Sequence, residues 1–147
     1  MRALVQRVSH AKVSVAGTIT GEINKGLCVF LGIKDDDGIA EVSKLAQKVT
    51  QLRVFSDEQG KMNLSVLDVA GELLIVSQFT LYGDTERGNR PSYAKAAKPE
   101  QARELYELFV ARCRQLCPRV EAGIFQAHME VNLTNDGPVT LLCYAGE

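Results

Sequence analysis

The sequence predicts one α/β (α+β) domain covering residues 1–147, a mixed and antiparallel β-sheet structure covered by two helices. Three observations predict it. The first third alternates and then runs apolar as strands do. Two later segments repeat apolar residues at three- and four-residue spacing. The remaining short apolar runs are separated by turn residues. A chain of 147 residues fits one domain better than two. At that size it buries roughly 68–70% of the surface its unfolded chain exposes, so it needs no disulfide or metal staple.

In RALVQRVSHAKVSVAG, Leu4, Gln6 and Val8 alternate against Val5, Arg7 and Ser9. Val13 and Val15 resume the alternation after an irregularity at His10–Ala11. GLCVFLGI, residues 26–33, is continuously apolar and suits a strand buried on both faces. The acidic turn at Asp35, Asp36 and Asp37 reads as solvent-facing and lacks the spacing of a calcium loop. Ile39, Val42, Leu45, Ala46, Val49 and Leu52 then mark the first helix. RVFSDEQGKMN predicts a short strand with a turn at Gly60, and residues 71–80 predict a strand ending in Ser77, Gln78, Phe79 and Thr80. Residues 82–99 carry turn chemistry without periodicity, the mark of a functional or mobile segment in so small a domain. Pro99 opens the second helix, Ala102, Leu105, Tyr106, Phe109, Cys113 and Leu116 form its apolar stripe, and Pro118 stops it. RVEAGIF, MEVNLT and PVTLLCY read as three closing strands.

The net charge of −1 argues against a protein that grips nucleic acid by bulk electrostatics, although it leaves room for a local basic groove. The four cysteines form no C-x-x-C pair. Cys113 and Cys117, four apart on a helix, read as buried small hydrophobes rather than metal ligands, so no metal is expected. No apolar run approaches the roughly 20 residues of a membrane span, and the N-terminus is neither signal nor transit peptide, so the cytoplasm is the expected compartment.

Side-chain chemistry does not declare itself. His10 and His128 read as surface or structural histidines, and no nucleophile elbow, zinc-protease or P-loop motif is present. Thr80 ends an apolar strand and could be a nucleophile, yet threonine is a favoured strand residue and no base lies beside it. Arg87, Arg90, Lys95, Lys98 and Arg103 cluster in and just after the long loop, as either a solvated surface or a phosphate-binding one.

Two motifs supply what the side chains do not. SQFTL (Ser77 to Leu81) and NDGPVT (Asn135 to Thr140) occur in order, with a MRALVQRV start and GNRPSY in the loop. With these the sequence closely resembles the D-aminoacyl-tRNA deacylases, also called D-tyrosyl-tRNA deacylases, over essentially the whole chain. Tyr93 where phenylalanine is usual, and Asn89 where aspartate is common, are small departures.

The resemblance implies a barrel-like core and hydrolysis of the ester between a D-amino acid and the 3′-terminal adenosine of tRNA. It implies a homodimer with each active site at the subunit interface, and no cofactor. By it, Ser77, Gln78, Phe79 and Thr80 surround the ester, and Gly137 and Pro138, joined by a cis bond, enter from the partner subunit to select chirality. Arg7 braces that pair, Asn135, Val139 and Thr140 support it, and Arg87, Arg90, Lys95 and Lys98 are tRNA-binding candidates. Glycine mischarged on tRNA(Ala) is expected to be removed as well, having no side chain to exclude.

Such chemistry needs no triad. The vicinal ribose hydroxyl helps activate water, and the enzyme has mainly to orient the ester and stabilise the oxyanion with preorganised donors. Two alternatives stand beside this reading. One is a relative with a trans Gly-Pro bond that removes wrongly attached L-alanine. The other is a non-catalytic tRNA- or DNA-binding dimer.

Overall fold

The computed structural model describes all residues, 1–147. Strand β1 (Arg2–Val15) is the axis of the sheet. On one edge it pairs antiparallel with β3 (Gly26–Gly32) along Arg2 to Val8, and with β2 (Thr18–Ile23) along Ala11 to Val15. β3 pairs in parallel with β6 (Glu72–Ser77), and β6 in parallel with β7 (Val120–Ala122). The other edge of β1 is covered by β8 (Glu130–Tyr144). The sheet curls towards closure where β2 nears β7. Gly21 permits that approach, because a Cβ there would lie 3.0 Å from the Ala122 carbonyl oxygen and 3.1 Å from Leu74. A small hairpin, β4 (Phe55–Ser56) with β5 (Met62–Leu64), stands apart from the main sheet.

Helices α1 (Ile39–Gln51) and α2 (Pro99–Leu116) pack on one face of the sheet. Their buried residues, Val42, Leu45, Ala46 and Val49 with Ala102, Leu105, Tyr106, Phe109 and Cys113, meet Ala3, Val5, Val29 and Ile75 in the main core. Each fully buried aliphatic side chain contributes about 1.5–3 kcal/mol of burial. α2 begins with Pro99, whose missing N–H is no loss in a first turn. Leu116, expected in its buried stripe, is instead exposed, and Cys117 takes the buried place after Cys113. All four cysteines are free and buried, and burial pushes the Cys28 and Cys113 thiols up to about 12.

Four further expectations change. The acidic turn does not wholly face solvent: Asp37 is buried, its Oδ1 2.7 Å from the N-terminal ammonium and its Oδ2 accepting from the Lys34 N–H at 2.6 Å. The strand predicted over 71–80 stops at Ser77, and Phe79–Tyr82 forms a 3-10 turn. Residues 82–99 are held by two isolated bridges, Asp84 with Ser92 and Lys34 with Ala96.

Fourthly, MEVNLT and PVTLLCY are one strand, β8. Along it Gln6 pairs with Thr140 and Val8 with Asn135, so residues 136–139 stand opposite Arg7 alone and bulge from the ladder. The irregularity read at His10–Ala11 is thus a shift of register against β8 at Gln6 to His10, while β1 itself runs on.

Candidate active site

The SQFTL segment takes its form from where β3 ends. The Gln78 N–H makes a last ladder bond to the Leu31 carbonyl oxygen at 2.7 Å. Beyond Gly32 there is no neighbour to continue the ladder, and the chain turns. In that turn Leu81 N–H bonds to the Gln78 carbonyl oxygen (3.3 Å) and Gly83 N–H to that of Thr80 (3.0 Å). The N–H groups of Phe79 and Thr80 come first in the turn and donate to no atom of the chain. Two adjacent main-chain donors are thereby left without a partner in the chain.

The side chains around them are ordered by their neighbours. The Gln78 amide donates to the Thr80 hydroxyl oxygen, which orients both groups. The Phe79 ring stands edge-on to that of Tyr93, centroids 5.0 Å apart. Phe79 is nonetheless 56% exposed, and Thr80 is exposed as well. Beside the turn opens a cavity of about 740 Å3, lined by Ser77, Gln78 and Phe79 on one side. Tyr93, Lys98, Phe125, Gln126, His128, Met129 and Val131 contribute to the rest. Thr80 does not line this cavity and sits at the turn beside it.

Gly137 and Pro138 are exposed on the β8 bulge, joined by a cis peptide bond, and take no part in the cavity of their own chain. The bulge is stapled at its base. Asn135 Nδ2 donates to the carbonyl oxygens of Arg7 and Val139, both at 3.0 Å, and Val139 is buried in the main core. Arg7 Nε donates to the Asp136 carbonyl oxygen at 3.1 Å, and its Nη1 to that of Val54 at 2.6 Å. Thr140 Oγ1 accepts from Gln6 Nε2 at 3.1 Å.

Among the basic residues, only Lys98 reaches the cavity. Lys95 lies 3.7 Å from Asp84, while Arg87 and Arg90 are exposed without an ion pair. His10 is paired with Glu22 at 2.6 Å and lies outside the cavity; His128 lines it. The roles of Phe125, Met129 and Val131 as walls had no signal in the sequence, since the segments that carry them are brought together only by the fold, whereas Tyr93 was marked by the GNRPSY motif. No group of three or more His, Cys, Asp or Glu side chains is arranged to hold a metal.

Two main-chain donors without an internal partner, beside a largely apolar cavity in a small α/β domain, can stabilise an oxyanion such as forms in ester hydrolysis. The chain belongs to the D-Tyr-tRNA(Tyr) deacylase family, whose model matches residues 4–144. It is 57% identical to the "D-aminoacyl-tRNA deacylase" of Thermosipho africanus (strain TCF52B) over 142 residues, 97% of this chain and 95% of the relative. It is 58% identical to the protein of the same name from Fervidobacterium nodosum (strain ATCC 35602 / DSM 5306 / Rt17-B1), with the same coverage. Among solved structures, that of a "c-Myc DNA Unwinding Element Binding Protein" superposes with a TM-score of 0.95 at 40% identity, covering 100% of both chains. A second, described as "Structural Analysis of a probable eukaryotic D-amino acid tRNA deacylase", gives 0.82 at 15% identity over 97% of each, a likeness of fold.

Proposed function

We propose that this protein hydrolyses the ester joining a D-amino acid to the 3′-terminal adenosine of tRNA, working as a homodimer in the cytoplasm. The observation that carries the reading is the pair of free N–H groups at Phe79 and Thr80 beside the cavity. Fixed donors of this kind stabilise the oxyanion that forms when water adds to the ester carbonyl, and they need no reorganisation as charge develops. The Gln78 amide and the Thr80 hydroxyl hold the turn and the ester in register. The ribose hydroxyl next to the ester helps activate the water, so the protein supplies orientation and charge stabilisation rather than a strong base.

Gly137 and Pro138 then serve as a chirality wall in the partner's cavity. With amine and ester pinned, a D side chain points into open space and an L side chain meets backbone. Glycine offers no side chain to exclude, so glycine mischarged on tRNA(Ala) is removed too. Exposed apolar residues support a second copy on this face: Leu4 lies in register between Phe30 and Leu142, and Leu142 and Tyr144 are each 48% exposed. Lys95, Lys98, Arg87 and Arg90 would meet the phosphates of the acceptor end.

Nucleic-acid binding without catalysis is the second reading, favoured by the likeness, at 40% identity, to the c-Myc DNA Unwinding Element Binding Protein. The net charge of −1 and the scattered basic residues argue against it as the main activity. Release of labelled amino acid from D-aminoacyl-tRNA, in EDTA, tests the proposal; binding of the tRNA with no release above the spontaneous rate would leave the second reading.

A further inference from the structure

The Phe79–Tyr82 turn is attached to the sheet by more than its own hydrogen bonds. Gly32, at the end of β3, lies directly beneath it: a Cβ there would stand 3.0 Å from Leu81 Cβ, 3.2 Å from the Gln78 carbonyl oxygen and 3.3 Å from the Tyr82 ring. Opposite Gly32 in the ladder is Arg2. With no side chain on Gly32, the Arg2 guanidinium reaches across the strand. Its Nη1 donates to the Leu81 carbonyl oxygen at 3.0 Å, and its carbon sits 4.5 Å from the centre of the Tyr82 ring.

The other side of the guanidinium is held too. Nε lies 3.0 Å and 3.2 Å from the two Glu147 oxygens, and Nη2 lies 3.1 Å from Oε2. The Tyr82 hydroxyl donates to Glu147 Oε1, closing a ring of Arg2, Glu147 and Tyr82 around one end of the turn. A planar fork satisfied on both sides has few other positions to adopt. Burial alone would raise the Glu147 carboxyl, but hydrogen bonds from Arg2 and Tyr82 bring it below its usual range, so Glu147 stays charged opposite Arg2 at neutral pH while Tyr82 donates as a neutral hydroxyl.

We infer that Arg2, locked by Glu147, is a positioning residue for the deacylation reaction: it clamps the Leu81–Tyr82 end of the turn and so fixes the direction of the Phe79 and Thr80 N–H groups. Arg2 touches no reacting atom; its effect passes through the Leu81 carbonyl and the Tyr82 ring. The inference rests on the oxyanion role proposed above for those two donors. A small rotation of the turn would leave the cavity open to substrate while misaiming the donors. Loosening the clamp therefore acts on turnover more than on binding.

The test uses the full chain with Arg2→Met, Arg2→Lys and Glu147→Gln, read by steady-state kinetics on D-Tyr-tRNA and by hydrogen exchange of the 78–83 segment. Arg2→Met is expected to lower kcat by about tenfold or more with KM within about twofold. Arg2→Lys should fall between it and wild type, because an ammonium keeps the charge and loses the fork. Exchange at Leu81 and Gly83 should quicken, with β3 and β6 unchanged. Should Arg2→Met not fold, Glu147→Gln carries the same expectation in smaller degree. Wild-type kcat in the folded variants would overturn the inference, as would a rise in KM alone. A wild type that turns over no D-Tyr-tRNA would overturn the deacylase reading instead, and unchanged exchange in the variants would then overturn the clamp separately.

Discussion

Arg7 and Asp136 meet twice between the adjacent strands β1 and β8. Arg7 Nε lies 3.1 Å from the Asp136 carbonyl oxygen and 3.2 Å from its Oδ2. Arg7 is also bound to the Val54 carbonyl oxygen, so the four-residue bulge that carries Gly137 and Pro138 is tied to the segment leading into β4. The side chain of Arg7 is only 12% exposed, against 54% for that of Asp136. The brace is thus anchored on its inner side.

Arg7→Met should therefore loosen the bulge without emptying the core. The expected outcome is a fall of about tenfold in the ratio of D-Tyr-tRNA to L-Tyr-tRNA hydrolysis. Paired time courses on the two substrates measure it. An unchanged ratio would mean that the bulge keeps its place without Arg7.

A side chain added at Gly137 meets almost nothing in its own chain: its Cβ would have only Asn135 Oδ1 within 4 Å, at 3.4 Å. Gly137→Leu should fold with a wild-type thermal midpoint and yet be inactive, because in the proposed dimer the added side chain would obstruct the partner's cavity. Mixing it with a Gln78→Ala/Thr80→Ala chain of much reduced turnover decides the geometry. In a mixed dimer one site would carry both defects and the other neither, so activity should reappear. No recovery, with exchange of subunits demonstrated, would place the wall in the same chain as the donors.

Thr80→Ala removes the hydroxyl that accepts from Gln78 and leaves the main-chain N–H groups in place. Turnover should drop by about 10–100-fold, short of the loss expected when a principal oxyanion donor goes. Single-turnover rates on D-Tyr-tRNA give the number. A variant no faster than spontaneous hydrolysis would point to Thr80 as a nucleophile.

Asp37 supplies a stability test away from the site. Its carboxylate, with a side chain 1% exposed, faces the N-terminal ammonium at 2.7 Å and takes the Lys34 N–H. Asp37→Asn leaves the buried ammonium with only the Glu147 carboxylate, 3.9 Å away, as counter-charge, and urea unfolding should show a loss approaching about 3 kcal/mol. A loss below about 1 kcal/mol would be that of an ordinary hydrogen bond, and would mean the ammonium has found another partner.

The helices were legible because their signal is local. Val42, Leu45, Ala46 and Val49 repeat on one face whatever the rest of the chain does, and so do Leu105, Tyr106 and Phe109. What escaped depends on distant partners. Phe79, Thr80 and Leu81 have good strand propensity, and only the end of β3 at Gly32 turns them into a 3-10 turn. NDGPV reads as a break between strands, yet pairing resumes at Thr140 because Gln6 is waiting for it. Asp37 looked solvated since its counter-charge is the N-terminal amine, 36 residues away. The candidate site itself was legible through the resemblance of two motifs. The side chains alone pointed no further than Thr80.

The central claim is that a backbone wall reads handedness while fixed N–H donors stabilise the oxyanion formed as water adds to the ester. Its most direct measurement is the rate of amino acid release from D-Tyr-tRNA and from L-Tyr-tRNA, with the same purified protein in EDTA. The account predicts rapid release of D-tyrosine, with L-Tyr-tRNA lost no faster than in buffer. Equal release of both would contradict it.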